Sequence, residues 1–365
     1  MIVVFLCGDV MTGRGIDQIL PHPSPPRIAE PVVRDARTYV ALAEDVNGPV
    51  PRRVDSSYVW GDALDELKRI APAARIVNLE TSVTRSEDAW PKGINYRMHP
   101  ANVGCLAAAG IDVCVLANNH VLDYGPVGLI ETLETLGRAG FRTTGAGRTL
   151  ADARRPAVVD LAHDRRVVVH GTGTPTSGIP PAWAATDDLA GVDLLSDLSD
   201  ATAAAVAARV GRSKRGGDVT VASIHWGSNW GYEVPGAHVR FARRLVDGGV
   251  DVVHGHSSHH PRPIEVYRNR LILYGCGDLI NDYEGIAGHE EYRPDLALMY
   301  FPTFDAASGE LRELRMTPMR LRKLRLSRVP PEDARWLGDK LARISLEFRC
   351  HVEASDDGSL LVRWR

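Results

Sequence analysis

The chain has few cysteines and no CxxC pair among them, no excess of positive charge and no long uninterrupted apolar run. Each shortage removes a class of function. Its five cysteines, Cys7, Cys105, Cys114, Cys276 and Cys350, are odd in number and share no metal-ligand spacing. Neither a disulfide framework nor a thiolate zinc site is expected. Three of them stand inside apolar runs, as the buried free thiols of a reducing compartment do. Lys and Arg total 43 against 46 Asp and Glu, a formal net charge of −3. That balance offers no basic surface to nucleic acid or to an anionic membrane, and the local cluster from Arg320 to Arg325 reads as a solvated face. The opening MIVVFLCGDV has no basic flank and is too short for a bilayer span or a signal core, so the expected location is cytoplasmic with no membrane partner.

What is present is enough apolar material for a full core, 44% of 365 residues, arranged as short β-branched runs alternating with helical spacing. Strands are expected at 2–7, 75–77, 111–116, 141–144, 157–159, 166–170, 219–224, 296–301, 310–319 and 360–364, with a hairpin over 264–274. Helices are expected at 62–70, 101–110, from Pro126 to about Gly140, across the Ala-rich 184–209, at 237–246 and at 332–348. Residues 171–181 read as a Gly/Thr/Pro loop. Strand, helix, strand in this order implies parallel pairing with right-handed crossovers, hence an α/β chain. No repeat or linker divides it, so a single domain over 1–365 is expected, with a core over 1–302 and an extension over 303–365. A homo-oligomer is compatible with this composition.

Thirteen histidines occur in the chain, and four of them, His254, His256, His259 and His260, fall within DVVHGHSSHHPRPIE. Imidazole both ligates metals and moves protons near neutral pH. Asp9, Glu80, Asn119 with His120 and Asp123, His225, His254 with His256, and Asp278 each follow directly on an apolar run. In a parallel sheet the carboxyl ends of the strands share one edge, which is where ligands bind. Asp, Glu, Asn and His without thiolate suit a divalent cation such as Mn, Fe, Zn, Mg or Ca. His120 and Asp123, three residues apart, make a general acid–base pair, unless Asp123 instead caps the helix opening at Pro126. A second pair is expected from His256 or His259 with Asp9, Asp278 or Asp282. Trp226, Trp230, Tyr232 and Tyr283 form either an aromatic wall or ordinary packing, and Arg14, Arg97 and Arg293 are candidates to hold a substrate carboxylate.

Taken in order, Gly8-Asp9-Val10-Met11-x-Gly-Arg14, Asn78-Leu79-Glu80, Asn118-Asn119-His120-x-x-Asp123-Tyr124-Gly125, His225-Trp226-Gly227, Gly255-His256-x-x-His259 and Tyr274-Gly275-x-Gly277-Asp278 resemble the CapA family of poly-γ-glutamate capsule synthesis. The resemblance implies a calcineurin-like metallophosphoesterase fold, a central β-sandwich flanked by helices. It also implies metal ligands at Asp9, Glu80, Asn119, His225 and His254 or His256, with His120 as a catalytic imidazole. Two departures stand out: Met11 occupies the place of the His in the usual Asp-x-His, and Asn78-Leu79-Glu80 replaces Gly-Asp-x-x-Asp. The chain further resembles cytosolic members that invert a Cα centre of a lasso-peptide precursor. The expectation is therefore a metal-dependent Cα epimerase acting on a peptide, with catalytic His120, Asp123, His256, His259 and Asp278. The alternative is a metal-dependent hydrolase or transferase of amide or phosphoester bonds, including γ-glutamyl chains, and a third reading is a non-catalytic binder of polyglutamate.

Overall fold

Period-two alternation inside the apolar runs decides the architecture, because the central strands are covered on both faces. The computed structural model describes residues 1–364. In the strand Ile2–Val10, the side chains of Ile2, Val4 and Leu6 enter one core cluster, while Phe5 and Cys7 enter another. The strand Val219–His225 divides the same way: Val219 and Val221 share the first cluster, and Ala222 and Ile224 face a third. That first cluster is the filling of a sandwich.

One sheet has ten strands, and its central parallel part runs Ile2–Val10, Ala74–Leu79, Val113–Val115, Arg142–Thr144. The facing sheet has six, with Arg166–Gly173, Val219–His225, Val252–His256 and Arg270–Leu273 parallel and adjacent. Helices Arg37–Asn47, Ala63–Ile70 and Gly125–Arg138 cover the outside of the larger sheet through Val40, Leu67 and Leu129. Helices Asp200–Ser213 and Gly236–Asp247 cover the smaller one through Val206, Val210, Phe241 and Leu245. This is the β-sandwich flanked by helices that the resemblance implies.

One irregularity positions the chemistry. Pairing of the first strand with Ala74–Leu79 runs through Val4↔Ala74 and Leu6↔Ile76, then shifts before Asp9↔Asn78. The extra residue turns Asp9 inward, where strict alternation would have sent it out with Phe5 and Cys7. Only glycine fits at the turn, because a Cβ on Gly8 would stand 1.8 Å from the carbonyl oxygen of Gly277.

Several expectations are corrected. The first strand runs on to Val10, so Asp9 lies inside its last turn of pleat rather than beyond it. The helix placed over 101–110 is a 3-10 turn, Pro100–Asn102, followed by the short helix Gly104–Ala108, since glycine at 104 and the bound His99 cap split the run. Of 184–209 only the part from Asp200 is helical, capped by Ser199 accepting from Thr202 N. Residues before it are irregular, with bends and the two-residue strand Gly191–Val192. The strand Arg166–Gly173 takes the first three residues of the expected loop, because a neighbour is available to pair as far as His225↔Gly173. The boundary at 302 falls inside Leu296–Phe304, and Leu311–Arg322, Leu360–Trp364 and Cys350–Ala354 continue the ten-stranded sheet. The C-terminal helix Pro331–Ser345 closes the sandwich with Leu337 and Leu341. Arg320 and Arg325 sit on a hairpin and pair with Asp295, Asp333 and Asp62. Among the described residues no helix is long and apolar enough to cross a membrane, and all five cysteines are free and buried.

Candidate active site

The inward alternation that fills the sandwich with valine and isoleucine changes to polar residues at the carboxyl ends of the strands. On Val219–His225 the inward series is Val219, Val221, Ser223, His225, and on Val252–His256 it is Val252, His254, His256. Register places Ser223 beside His254 and His225 beside His256. From the opposite sheet come Asp9, Asn78 and then Glu80, and Asp278 is paired directly with Asp9. Asp9, Asn78, Glu80, His225, His254 and His256 are all at most 1% exposed.

Asn118 is a strut. Its amide donates to Asn78 Oδ1 and to the Leu79 carbonyl, and its Oδ1 accepts from His120 N, fixing the loop that carries Asn119 and His120. Asn119 Oδ1 then lies 3.0 Å from His225 Nε2. His120 Nδ1 meets Asp123 Oδ2 at 2.6 Å, leaving Nε2 directed at Glu80 Oε1, 3.8 Å away. Asp123 also accepts from Tyr96 N and pairs with Lys92 Nζ at 2.6 Å. It is therefore an orienting carboxylate and not the helix cap, for the helix Gly125–Arg138 has no side-chain cap bond. A second pair forms between His259 Nδ1 and Asp278 Oδ1 at 2.9 Å. Tyr283 Oη lies 3.4 Å from His259 Nε2 and 3.2 Å from Tyr96 Oη, and the Tyr96 ring stands edge-on to His120. The two His–Asp pairs are thus joined through phenols.

Electrostatics mark the centre as a place for a cation. Burial and then the Asp278 charge raise Asp9 from the usual carboxylate range to about 7, against the opposing pull of Glu80, His259 and Asn78. Glu80 is raised well above its ordinary value by burial and by Asp9. Burial holds His225 and His256 well below ordinary imidazole, so both rings are neutral. Burial alone would depress His259 as well, but the Asp278 carboxylate more than reverses it. Burial brings His120 down to about 4.

Asp9, His225 and His256 each offer an atom within 4.8 Å of the others', and so do Asp9, His259 and Asp278. Crowded carboxylates and neutral imidazoles are the donor set of a divalent cation. The two Nδ1 atoms of His225 and His256 face each other at 2.8 Å, a contact that needs a proton or a cation between its lone pairs. The residues therefore fit a metal centre, with Asp9 common to two groups of donors. The backbone is strained at the same point: Ser257, φ 103°, gives its N–H to Asp9 Oδ2 at 3.3 Å.

Not every candidate arrives. His254 is not a ligand: both ring nitrogens are used, Nε2 on the Cys7 carbonyl and Nδ1 on Ser223. Asp282 is bound to Arg14, which also pairs with Glu30, so neither reaches the rim. Arg97 donates to the Ser86 and Pro25 carbonyls, and Arg293 is held by Asp295 and Asp333. Trp226 is core, stacked on His238. Trp230 and Tyr232 pack half-buried with His260 and Tyr292, the Trp230 ring also lies against His259, and of the four aromatic side chains only Tyr283 hydrogen-bonds to a site residue. Sequence reasoning missed Lys92, which no periodicity signals, and Ser223, whose inward place in V-A-S-I-H was readable.

Residues 3–283 match the family described as bacterial capsule synthesis protein PGA_cap. The chain is 49% identical over 99% of its length, and 96% of the relative's, to a protein from each of two Mycobacterium tuberculosis strains named "Probable polyglutamine synthesis accessory protein". It is 28% identical to the Bacillus subtilis "PGA biosynthesis protein CapA" over 56% of this chain and 52% of that one. The crystal structure of a 5'-nucleotidase precursor from Thermus thermophilus aligns at 17% identity with a TM-score of 0.42, covering 91% of this chain and 55% of that chain.

Proposed function

We propose, from the premise that the chain belongs to the bacterial capsule synthesis protein PGA_cap family, that it is a divalent-cation-dependent hydrolase or transferase of amide or phosphoester bonds serving the assembly of a glutamate polymer. The observation that carries the reading is Asp9 shared by two sets of donors, with His225 and His256 on one side and His259 and Asp278 on the other. The names of the relatives, polyglutamine synthesis accessory protein and PGA biosynthesis protein, support the γ-glutamyl chain as substrate. Free, buried thiols suit a cytoplasmic setting.

A bound cation supplies Lewis-acid charge to the oxygen atoms of the group being cleaved or transferred. The chain's own residues supply the proton. His120 is held by Asp123 at Nδ1, so Nε2 is the atom that gives or takes a proton at the rim. Lys92 pairs with Asp123 and holds it in place. Tyr283 offers its hydroxyl beside His259 Nε2.

A second reading is favoured by the presence of two His–Asp pairs, His120–Asp123 and His259–Asp278. One as base and one as acid would invert a Cα centre of a peptide. A single experiment separates the readings. The protein is incubated in deuterium oxide with Mn2+ and, in turn, bis(p-nitrophenyl) phosphate, γ-glutamyl-p-nitroanilide and poly-γ-glutamate. Release of nitrophenol, nitroaniline or shortened polymer, stopped by EDTA and restored by Mn2+, is the expected result. Deuterium at Cα without bond cleavage would overturn hydrolysis in favour of epimerisation, and neither product under any divalent cation would sink both.

A further inference from the structure

His254 and Ser223, which belong to neither group of donors, form a chain of hydrogen bonds whose direction can be worked out. The irregular stretch of the first strand between Leu6 and Asp9 contains Cys7, and the Cys7 carbonyl receives His254 Nε2 at 2.8 Å from across the sandwich. A carbonyl oxygen only accepts, so His254 carries its hydrogen on Nε2. The ring is fully buried and no carboxylate pairs with it among the described residues, so it holds one hydrogen and its Nδ1 is bare. Ser223 Oγ lies 3.0 Å from that Nδ1 and 2.9 Å from His256 Nε2. The one hydroxyl hydrogen must go to the bare nitrogen of His254. Ser223 Oγ can then only accept from His256, which places the His256 hydrogen on Nε2 and leaves Nδ1 as a lone pair. The reverse direction would set a bare His254 Nε2 against the lone pairs of a carbonyl at 2.8 Å. The hydrogen in the short His225–His256 contact then belongs to His225 Nδ1, with the Asn119 amide turned so that its NH2 group faces His225 Nε2.

We infer that Ser223 and His254 are positioning residues that fix the tautomer of His256, presenting its Nδ1 lone pair to the cation. That nitrogen is the one 2.8 Å from His225 Nδ1 and 4.0 Å from Asp9 Oδ1. The inference rests on the cation-dependent reading above. It adds that the ligand is oriented from the opposite sheet, through a carbonyl exposed by the bulge at Gly8. Partners of this kind, bonded to the far nitrogen of a ligating imidazole, set its orientation and basicity.

The test uses the full chain and Mn2+. In protein labelled with [15N]histidine and freed of metal, a two-bond 1H–15N spectrum should show His256 protonated at Nε2 and bare at Nδ1, its signals identified by their loss in His256→Gln. Ser223→Ala should mix the tautomers and weaken Mn2+ binding, followed by titration calorimetry, by about tenfold to a hundredfold. Ser223→Thr keeps the hydroxyl and should recover most of the affinity and the single tautomer, which a purely space-filling role would not require. A hydrogen on Nδ1 of His256 in the wild type, or unchanged Mn2+ affinity in Ser223→Ala, would overturn the relay. A wild type that binds no Mn2+ would instead bring down the cation-dependent reading, and the ligand role of His256 with it.

Discussion

Replacing His120 with alanine should lower kcat on the hydrolysed substrate by about 10²- to 10⁴-fold, the usual contribution of a positioned acid or base, while Mn2+ affinity changes little. The asymmetry follows from where the ring sits. His120 gives Nδ1 to Asp123 and directs Nε2 towards Glu80 at 3.8 Å, and it belongs to neither group of donors around Asp9. Asp123→Asn should reproduce much of the loss. The amide cannot hold the Nδ1 hydrogen as the carboxylate does, and it abandons Lys92, 2.6 Å away, beside a buried imidazole. Steady-state kinetics with parallel calorimetry check both variants. Mn2+ affinity falling in step with kcat would recast His120 as a ligand.

Asp9→Asn should have the opposite signature, abolishing cation uptake while making the metal-free protein more stable. Asp9 is fully buried, and its pKa rises from the ordinary carboxylate value to about 7 through burial and the neighbouring Asp278 charge. Its folded value exceeds its unfolded one. The native state therefore holds the extra proton between those two values, and stability declines with rising pH until it levels off above about 7. Removing the charge at pH 8 should stabilise the metal-free fold by about 1 to 3 kcal/mol. The gain is reduced by loss of the weak 3.3 Å bond from Ser257 N. The same shift predicts that Mn2+ affinity of the wild type falls by about tenfold for each pH unit below 7, as the proton competes for Asp9. Melting curves with and without Mn2+ over pH 5.5–8.5 measure both effects. A destabilised Asp9→Asn protein, or affinity independent of pH, would count against a cation bound at this carboxylate.

Such a site exchanges stability for function. Three carboxylates, Asp9, Glu80 and Asp278, are gathered where a proton or a cation relieves their repulsion, and a strained Ser257 holds the loop that faces them.

Much of this was legible in the chain because strand ends announce themselves. Asp9, Glu80, Asn119, His225 and His256 follow apolar runs, and parallel pairing delivers them to one rim whatever the loops between them do. The pair His120–Asp123 was readable because three residues separate them. What alternation could not reveal was a change of alternation: the bulge at Gly8 sends Asp9 inward, and it also releases the Cys7 carbonyl that takes His254 out of the ligand set. Single arginines were misjudged for a related reason. Asp282, the partner of Arg14, lies 268 residues away, and Arg293 adds Asp333, 40 residues away, to its neighbour Asp295, so the distant partners lay beyond any local pattern. The stretch from 184 to 199 is expected to be helical, yet it is irregular, with Gly191–Val192 paired to Ala146–Gly147.

The most direct measurement is the anomalous scattering of manganese in crystals of the wild-type protein. The account predicts density between Asp9, His225 and His256, and between Asp9, His259 and Asp278, with none beside His254. Crystals equilibrated with millimolar Mn2+ that show no ion at Asp9, or one bound only elsewhere, would contradict it.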